Sequence, residues 1–184
     1  HAEPVKYAKH LEQTFGPPDE MTDSELCWVA KDGFKRIVVK DEYILHGSPA
    51  PHYDFVYCYI DLQVPEEYAE PLAKSSGSIL IDYLKGEVGA RCGSLTANAT
   101  TLNYVLDVVA KRVTPSKEEY EKRILSMTRK FDNGEKFEVD WWPDESGDAD
   151  PKNEYYAEGM FGEGLWDNIH KKRERIKSGS GERM

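Results

Sequence analysis

Two histidines and an aspartate lie close together at the start of an aromatic segment. His46 and His52 flank a turn-rich loop, and Asp54 follows His52 after a single intervening residue. Imidazole and carboxylate groups are ligands for divalent transition metals, and a His-x-Asp pair with a further histidine is typical of mononuclear iron sites. In such iron sites the further histidine lies downstream, and here it would be His170 in a lysine-rich segment, without the run of barrel strands that those sites require. His46, His52 and Asp54 could instead converge on one metal ion from a loop and a strand end. The simpler interpretation is a turn lined by both histidines and capped by Asp54 with nothing bound, and on sequence grounds we favour it.

A second candidate for chemistry is Cys92, just before a predicted long helix. A helix N-terminus and the neighbouring Arg91 could activate its thiol, and exposed amides there could bind a phosphate or carboxylate. The surrounding glycines match neither a phosphate-binding loop nor a dinucleotide fingerprint. We favour a buried structural cysteine in a glycine turn, and we favour that interpretation more strongly for Cys27 and Cys58. No cofactor is implied.

The segment 53–64 predicts a strand with two different faces. Alternate side chains of a strand point to opposite sides, so one face is aliphatic and the other is rich in tyrosine. The aliphatic face predicts a core strand, whereas the tyrosine face combines apolar rings with polar tips. Tyr53, Tyr57 and Tyr59 on that face are therefore candidate binding residues.

The elements that must position these residues form a mixed pattern. Helices are predicted at 5–14, near 66–74, at 95–112 and from Ser116 onward, while segment 78–85 is compatible with either a strand or a helix. A hairpin is predicted at 25–30 and 34–39, continued by Tyr43–His46 and 53–64, with a later strand at 135–142. This order predicts an α+β fold, with an antiparallel sheet (a β-meander plus a later strand) covered by helices on one face.

Composition narrows the class of protein. The 184 residues suffice for one domain with an appendage. No apolar run is long enough to span a membrane, and we expect no membrane partner. Three widely spaced cysteines favour reduced thiols, so we expect a cytoplasmic protein.

Charge is distributed in blocks. Residues 132–167 carry 12 acidic and 2 basic side chains, whereas residues 168–184 carry 6 basic and 2 acidic ones. We therefore predict an α+β core at 1–142, an acidic linker at 143–164 and a basic C-terminal arm at 165–184. Trp141 and Trp166 flank the linker and could contact a partner. Lys171, Lys172, Arg173 and Arg175 could contact phosphates or an acidic protein surface.

The C-terminal segment from Gly162 to Met184 resembles a basic tail carried by various proteins of marine bacteriophages. The resemblance implies a phage-encoded protein, found in the host cytoplasm or the virion, and a chain that continues further. It carries over no catalytic residue.

These patterns lead to two principal hypotheses. The first is a non-enzymatic binding or assembly protein that contacts protein partners, or copies of itself, through the tyrosine face and the C-terminal arm. The alternative is a small-molecule enzyme with a metal or thiol site at His46, His52, Asp54 and Cys92. Binding of nucleic acid is expected only through the basic arm, if at all, because the whole chain has a net charge of -10.

Overall fold

The computed structural model describes residues 1–132, in which six strands form one antiparallel sheet of order β1-β2-β3-β4-β6-β5. The strands are β1 (Glu20–Met21), β2 (Glu25–Lys31), β3 (Phe34–His46), β4 (His52–Asp61), β5 (Ile79–Asp82) and β6 (Glu87–Cys92). The helices are α1 (Ala2–Phe15), α2 (Ala69–Ser75), α3 (Leu95–Val109) and α4 (Lys117–Asp132), and a 3-10 turn covers Glu66–Tyr68. The helices pack against the sheet, which confirms the predicted α+β fold.

The β2–β3 hairpin turns through Asp32 and Gly33. Both residues have positive φ, 49° and 81° respectively, which is the conformation that a tight two-residue hairpin turn requires. The turn fixes the register, so that Lys31 pairs with Phe34 and Trp28 with Ile37. The predicted hairpin is therefore confirmed.

A row of directly paired residues crosses the sheet and forms the centre of the core. Ile37 pairs with Cys58, which pairs with Ala90, and Ala90 pairs with Ile79 on the edge strand. All four are buried, and paired residues in an antiparallel sheet share a face. The aliphatic face predicted for the β4 segment is thus the face that packs in the core.

Helix α3 closes this core and is tied to β4 by a buried amide. Ser94 caps the helix by accepting a hydrogen bond from the Ala97 backbone N–H. The Asn98 Nδ2 group donates to the Val56 carbonyl at 3.0 Å and contacts Cys58 Sγ at 3.2 Å. Helix α4 begins with the predicted cap, since Ser116 Oγ accepts from the Glu119 N–H at 3.1 Å.

The opposite face of the sheet carries charged and aromatic side chains. The Arg36 guanidinium lies 3.8 Å from the centre of the Tyr59 ring, and the ring covers Gly89 on the neighbouring strand. Arg36 also binds Glu87 through two hydrogen bonds of 2.7 and 2.6 Å. The tyrosine face is thus partly covered by the protein's own side chains.

Strand β6 was not predicted from the sequence. The sequence predicts that Cys92 lies in a glycine turn, but Cys92 is the last residue of this strand, which lies between β4 and β5. Segment 78–85, which the sequence makes compatible with either a strand or a helix, contains strand β5 (Ile79–Asp82). The predicted strand at 135–142, the acidic linker and the C-terminal arm lie outside the described residues. Within residues 1–132, no helix combines the length and apolar character that crossing a bilayer demands.

Candidate metal centre

The ends of β3 and β4 bring the two histidines together. The β3–β4 register shifts between Val39 and Ile44, after which Ile44 pairs with Asp54 and His46 with His52. Such an irregularity re-aims the side chains that follow it. The two imidazole rings lie with their centres 4.9 Å apart in an edge-to-face arrangement.

The loop between the two histidines is held against helix α4. The Ser48 hydroxyl donates a hydrogen bond to the Glu121 carboxylate, and the Ser48–Pro49 peptide bond is cis. The loop therefore has a contact of its own with the body of the protein, which helps to fix the position of His52.

The hydrogen bond made by His52 fixes its tautomer. The Nδ1 atom lies 2.7 Å from the Ala50 carbonyl oxygen, which can only accept, so Nδ1 carries the proton. In the neutral ring, Nε2 then presents a lone pair. This arrangement is the usual one for a metal-ligating histidine, whose other nitrogen donates to a backbone carbonyl or carboxylate.

The Nε2 lone pair of His52 faces the Asp54 carboxylate. Nε2 lies 3.2 Å from Oδ1 of Asp54, yet neither atom has a hydrogen-bond partner within the described part of the chain. The contact is close but lacks the alignment of a hydrogen bond. Ligands of one metal ion show this geometry, because their lone pairs point at a third position between them and not at each other.

The second histidine reaches the other oxygen of the same carboxylate. His46 Nδ1 lies 3.7 Å from Asp54 Oδ2, and the Ser78 hydroxyl lies 3.1 Å from the same nitrogen. Ser78 also donates to Asp54 Oδ2 at 3.4 Å. One ligand atom from each of His46, His52 and Asp54 lies within 4.8 Å of the other two.

Asp54 is a buried carboxylate in a cationic setting. Its side chain is 1% exposed, and burial raises its pKa, although His52, His46 and Arg91 each act in the opposite direction. Burial likewise lowers the pKa of His46, which favours the neutral ring that a metal requires. Its Oδ2 atom accepts a hydrogen bond from Ser78, whereas its Oδ1 atom has no hydrogen-bond partner within residues 1–132.

The observed separations suit a transition-metal ion. Two ligand atoms that each lie about 2.1 Å from a metal are roughly 3.0 to 3.4 Å apart in octahedral or tetrahedral coordination. The His52–Asp54 separation of 3.2 Å falls in that range, and the His46–Asp54 separation of 3.7 Å is slightly longer. His46 is therefore the least closely placed of the three candidate ligands.

Cys92 does not have the environment of an activated thiol. Burial raises its pKa to about 12, and the Asp54 carboxylate acts in the same direction. The hydrogen bonds from Gly93 and Ser94 lower the pKa but do not offset this effect. At neutral pH the group is a thiol, which agrees with a structural cysteine and gives no support to nucleophilic chemistry.

The three candidate tyrosines have different environments. Tyr53 is 50% exposed and lies opposite Leu45, which is 65% exposed. Tyr57 is buried, and its hydroxyl donates to the Glu42 carboxylate at 2.5 Å. Tyr59 is half-buried beneath Arg36. Of these three tyrosines, Tyr53 is therefore the one with an exposed side chain. Trp141, Trp166 and the arm residues Lys171, Lys172, Arg173 and Arg175 lie outside the described residues.

Sequence reasoning missed Ser78 and the role of Arg91 in this cluster. Arg91 Nε lies 3.7 Å from Asp54 Oδ2. Ser78 directly precedes β5 and Arg91 lies on β6, so both reach the site from the β5–β6 hairpin. From the sequence, Arg91 is interpreted only as a neighbour of Cys92. Val88, Ala90 and Cys92 alternate with other residues, and this alternation predicts a strand. Arg91 would then lie on the opposite face of that strand, which is the information that the sequence offers about its position.

Comparison with known proteins gave no match: no family model, curated protein or solved structure is significantly similar to this chain.

Proposed function

We propose that the protein binds a divalent transition-metal ion through His46, His52 and Asp54. The observation that carries the proposal is the close but non-hydrogen-bonded contact between His52 Nε2 and Asp54 Oδ1 at 3.2 Å, with the His52 tautomer set by Ala50. A buried carboxylate and an imidazole lone pair that face each other repel unless a cation lies between them. A metal ion accounts for this pair and for the approach of His46.

The ligand types favour some metals over others. Two imidazole nitrogens and one carboxylate oxygen suit Zn²⁺, Fe²⁺ or Co²⁺, whereas Mg²⁺ and Ca²⁺ prefer sites made of oxygen atoms. Three protein ligands also leave positions open, which is the pattern of catalytic and not structural zinc sites. The proposal therefore extends to a small molecule bound at the metal, as the enzyme hypothesis requires.

Titration with Zn²⁺ by isothermal calorimetry tests the proposal. We expect one ion per chain for the wild-type protein. Because the loss of an outer-shell contact alone costs 10- to 100-fold in metal affinity, we expect His52→Ala to lower affinity by at least about 100-fold. Asp54→Asn should have a similar effect, since it removes the carboxylate of the three-residue site.

His10→Ala is the matched control, because His10 is an exposed histidine on α1. It should bind Zn²⁺ as the wild type does. Binding that survives His52→Ala, or a wild-type protein that binds no ion, would rule the proposal out and leave a proton as the bridging cation.

The binding or assembly hypothesis remains a second proposal, supported by one surface feature. Leu45 and Tyr53 form an exposed cross-strand pair, and the Tyr43 ring packs against Tyr53 with ring centres 4.9 Å apart. Apolar groups exposed together in this way are typical of contact surfaces. The test is the oligomeric state of the intact chain in solution, measured by light scattering. A phage origin and a place in the host cytoplasm or the virion remain predictions.

A further inference from the structure

We infer that the metal centre binds an oxyanion, a carboxylate or phosphoryl group, held jointly by the metal ion and by Arg91. The inference rests on the proposed metal site and names the class of ligand that this site accepts. It is drawn from the position of a single arginine and from the charges around it.

Arg91 lies beside the site without being a ligand. Its Nε atom is 3.7 Å from Asp54 Oδ2, which is too far for a direct hydrogen bond, and no residue within 1–132 accepts a hydrogen bond from Nε. The side chain is 28% exposed, so an incoming group can reach it. Arg91 is positioned by β6, where it pairs with Tyr57 on the adjacent strand.

An arginine in this position is unfavourable for metal binding alone. Its positive charge competes with the metal for the Asp54 carboxylate and repels the ion. With a divalent ion bound to neutral histidines, Asp54 is the one acidic side chain among the residues that contact the site in the described structure, and Arg91 adds a further positive charge. The loaded site is therefore strongly cationic, and an anion relieves this excess.

The shape of the guanidinium selects the kind of anion. Its planar array of N–H donors matches the oxygens of carboxylates and phosphates, whereas a halide makes a single contact. One oxygen of such a group can occupy an open metal position while a second accepts from Arg91. The ligand class is therefore an oxyanion with at least two oxygens on one atom.

Cobalt provides the test, because Co²⁺ suits the same ligands and its visible spectrum reports on coordination. The Co²⁺-loaded full chain is titrated separately with acetate and with methylphosphonate. We expect a saturable spectral change with at least one of them, and the stronger response identifies the carboxylate or the phosphoryl class. We expect Arg91→Gln to weaken that binding at least about tenfold, because it removes a charge-assisted hydrogen bond.

The binding of Co²⁺ itself distinguishes this role from a structural one. Arg91→Gln should bind Co²⁺ as tightly as the wild type or more tightly, because a repelling charge is removed. Arg91→Lys keeps the charge without the planar donors and should give intermediate anion affinity. Lys31→Gln is the matched control: it removes a positive charge at the opposite end of the β2–β3 hairpin and should change neither titration.

Each contrary result has a distinct meaning. Tight Co²⁺ binding with no response to either anion, or with equal anion affinity in Arg91→Gln, overturns this inference and leaves the metal site intact. Absence of Co²⁺ binding in the wild type overturns both.

Discussion

Two buried carboxylates in this protein have opposite environments. Glu87 and Asp54 are each 1% exposed, but Glu87 receives two aligned hydrogen bonds from Arg36, which hold its pKa at about 2. Asp54 lies among His46, His52 and Arg91 at longer or misaligned distances, and burial raises its pKa. Glu87 is paired in a way that stabilises the fold. An additional cation beside Asp54 would balance the charge of its carboxylate.

At Glu87 we expect a large stability effect. Glu87→Gln leaves the Arg36 guanidinium without its charged partner, so the free energy of unfolding at neutral pH should fall by about 2 to 4 kcal/mol. Urea denaturation followed by circular dichroism measures the change. Glu70→Gln is the control, because Glu70 pairs with Lys74 on an exposed helix surface, and it should leave the free energy of unfolding close to that of the wild type.

The same substitution should change the pH profile. Because the pKa of Glu87 is lowered on folding, its contribution is fully present above the ordinary value of 4.5 and disappears as pH falls toward about 2. Wild-type stability should therefore decline across that interval, and the decline should be shallower in Glu87→Gln. A parallel decline in both proteins would show that Glu87 does not control acid stability.

At the scale of elements, strand β6 depends on a glycine that faces an aromatic ring. A Cβ atom added at Gly89 would lie 2.7 Å from two carbons of the Tyr59 ring. Real contacts of this kind do not occur, so the ring lies over Gly89 because no side chain is present. The position of the ring beneath Arg36 depends on it.

Gly89→Ala should therefore destabilise the protein, by about 1 to 3 kcal/mol, because the Tyr59 ring must move away from Arg36. Thermal unfolding followed by circular dichroism measures the loss. Gly77→Ala is the matched control, since an added Cβ there meets nothing within 4 Å, and it should leave the melting temperature nearly unchanged. Equal melting temperatures for the two variants would contradict the packing argument.

The elements were predictable where side-chain periodicity is strong. The stripe of apolar residues in α3, the cap at Ser116 and the Asp32–Gly33 turn each identify a local structure from local residues. Strand β6 has two small residues, Gly89 and Ala90, where large β-branched residues would normally indicate a strand. Its stability comes from the strands on either side, and pairing between distant segments leaves little trace in a single sequence.

The candidate site likewise contains residues that could be predicted from the sequence and residues that could not. His46, His52 and Asp54 are near neighbours in the sequence, so their convergence could be weighed without a structure. Ser78 and Arg91 come from a separate hairpin, and the tautomer of His52 depends on the backbone of its own loop. The sequence favours a turn lined by histidines with nothing bound. The contacts of Ser78, Arg91 and the Ala50 carbonyl make the same residues a candidate metal centre.

At the scale of the whole molecule, the exposed Leu45–Tyr53 pair lies at the tip of the hairpin that carries the histidines. If this surface mediates self-association, Leu45→Ser in the full chain should shift the protein toward monomer, because the substitution removes buried apolar area from the contact. Light scattering over a range of concentrations measures the shift. Leu84→Ser is the control, because Leu84 is fully exposed in the β5–β6 turn.

Removal of residues 155–184 separates this surface from the C-terminal arm. Association that persists in the shortened chain and disappears in Leu45→Ser assigns the contact to the hairpin tip. The opposite pattern assigns it to the arm. A wild-type chain that is monomeric at every concentration contradicts self-association by either route.

The residues of the proposed metal centre are synthesised in a definite order. His46, His52 and Asp54 all precede Asp61, the last residue of β4, whereas Arg91 belongs to β6, the last strand within residues 1–132. At ordinary elongation rates the ribosome adds Arg91 about 2 to 7 s after Asp54. The three proposed ligands are thus synthesised before the arginine that would contact the anion. An ion bound by the β3–β4 hairpin alone would be selected by its availability and its intrinsic affinity for imidazole and carboxylate, without a contribution from Arg91.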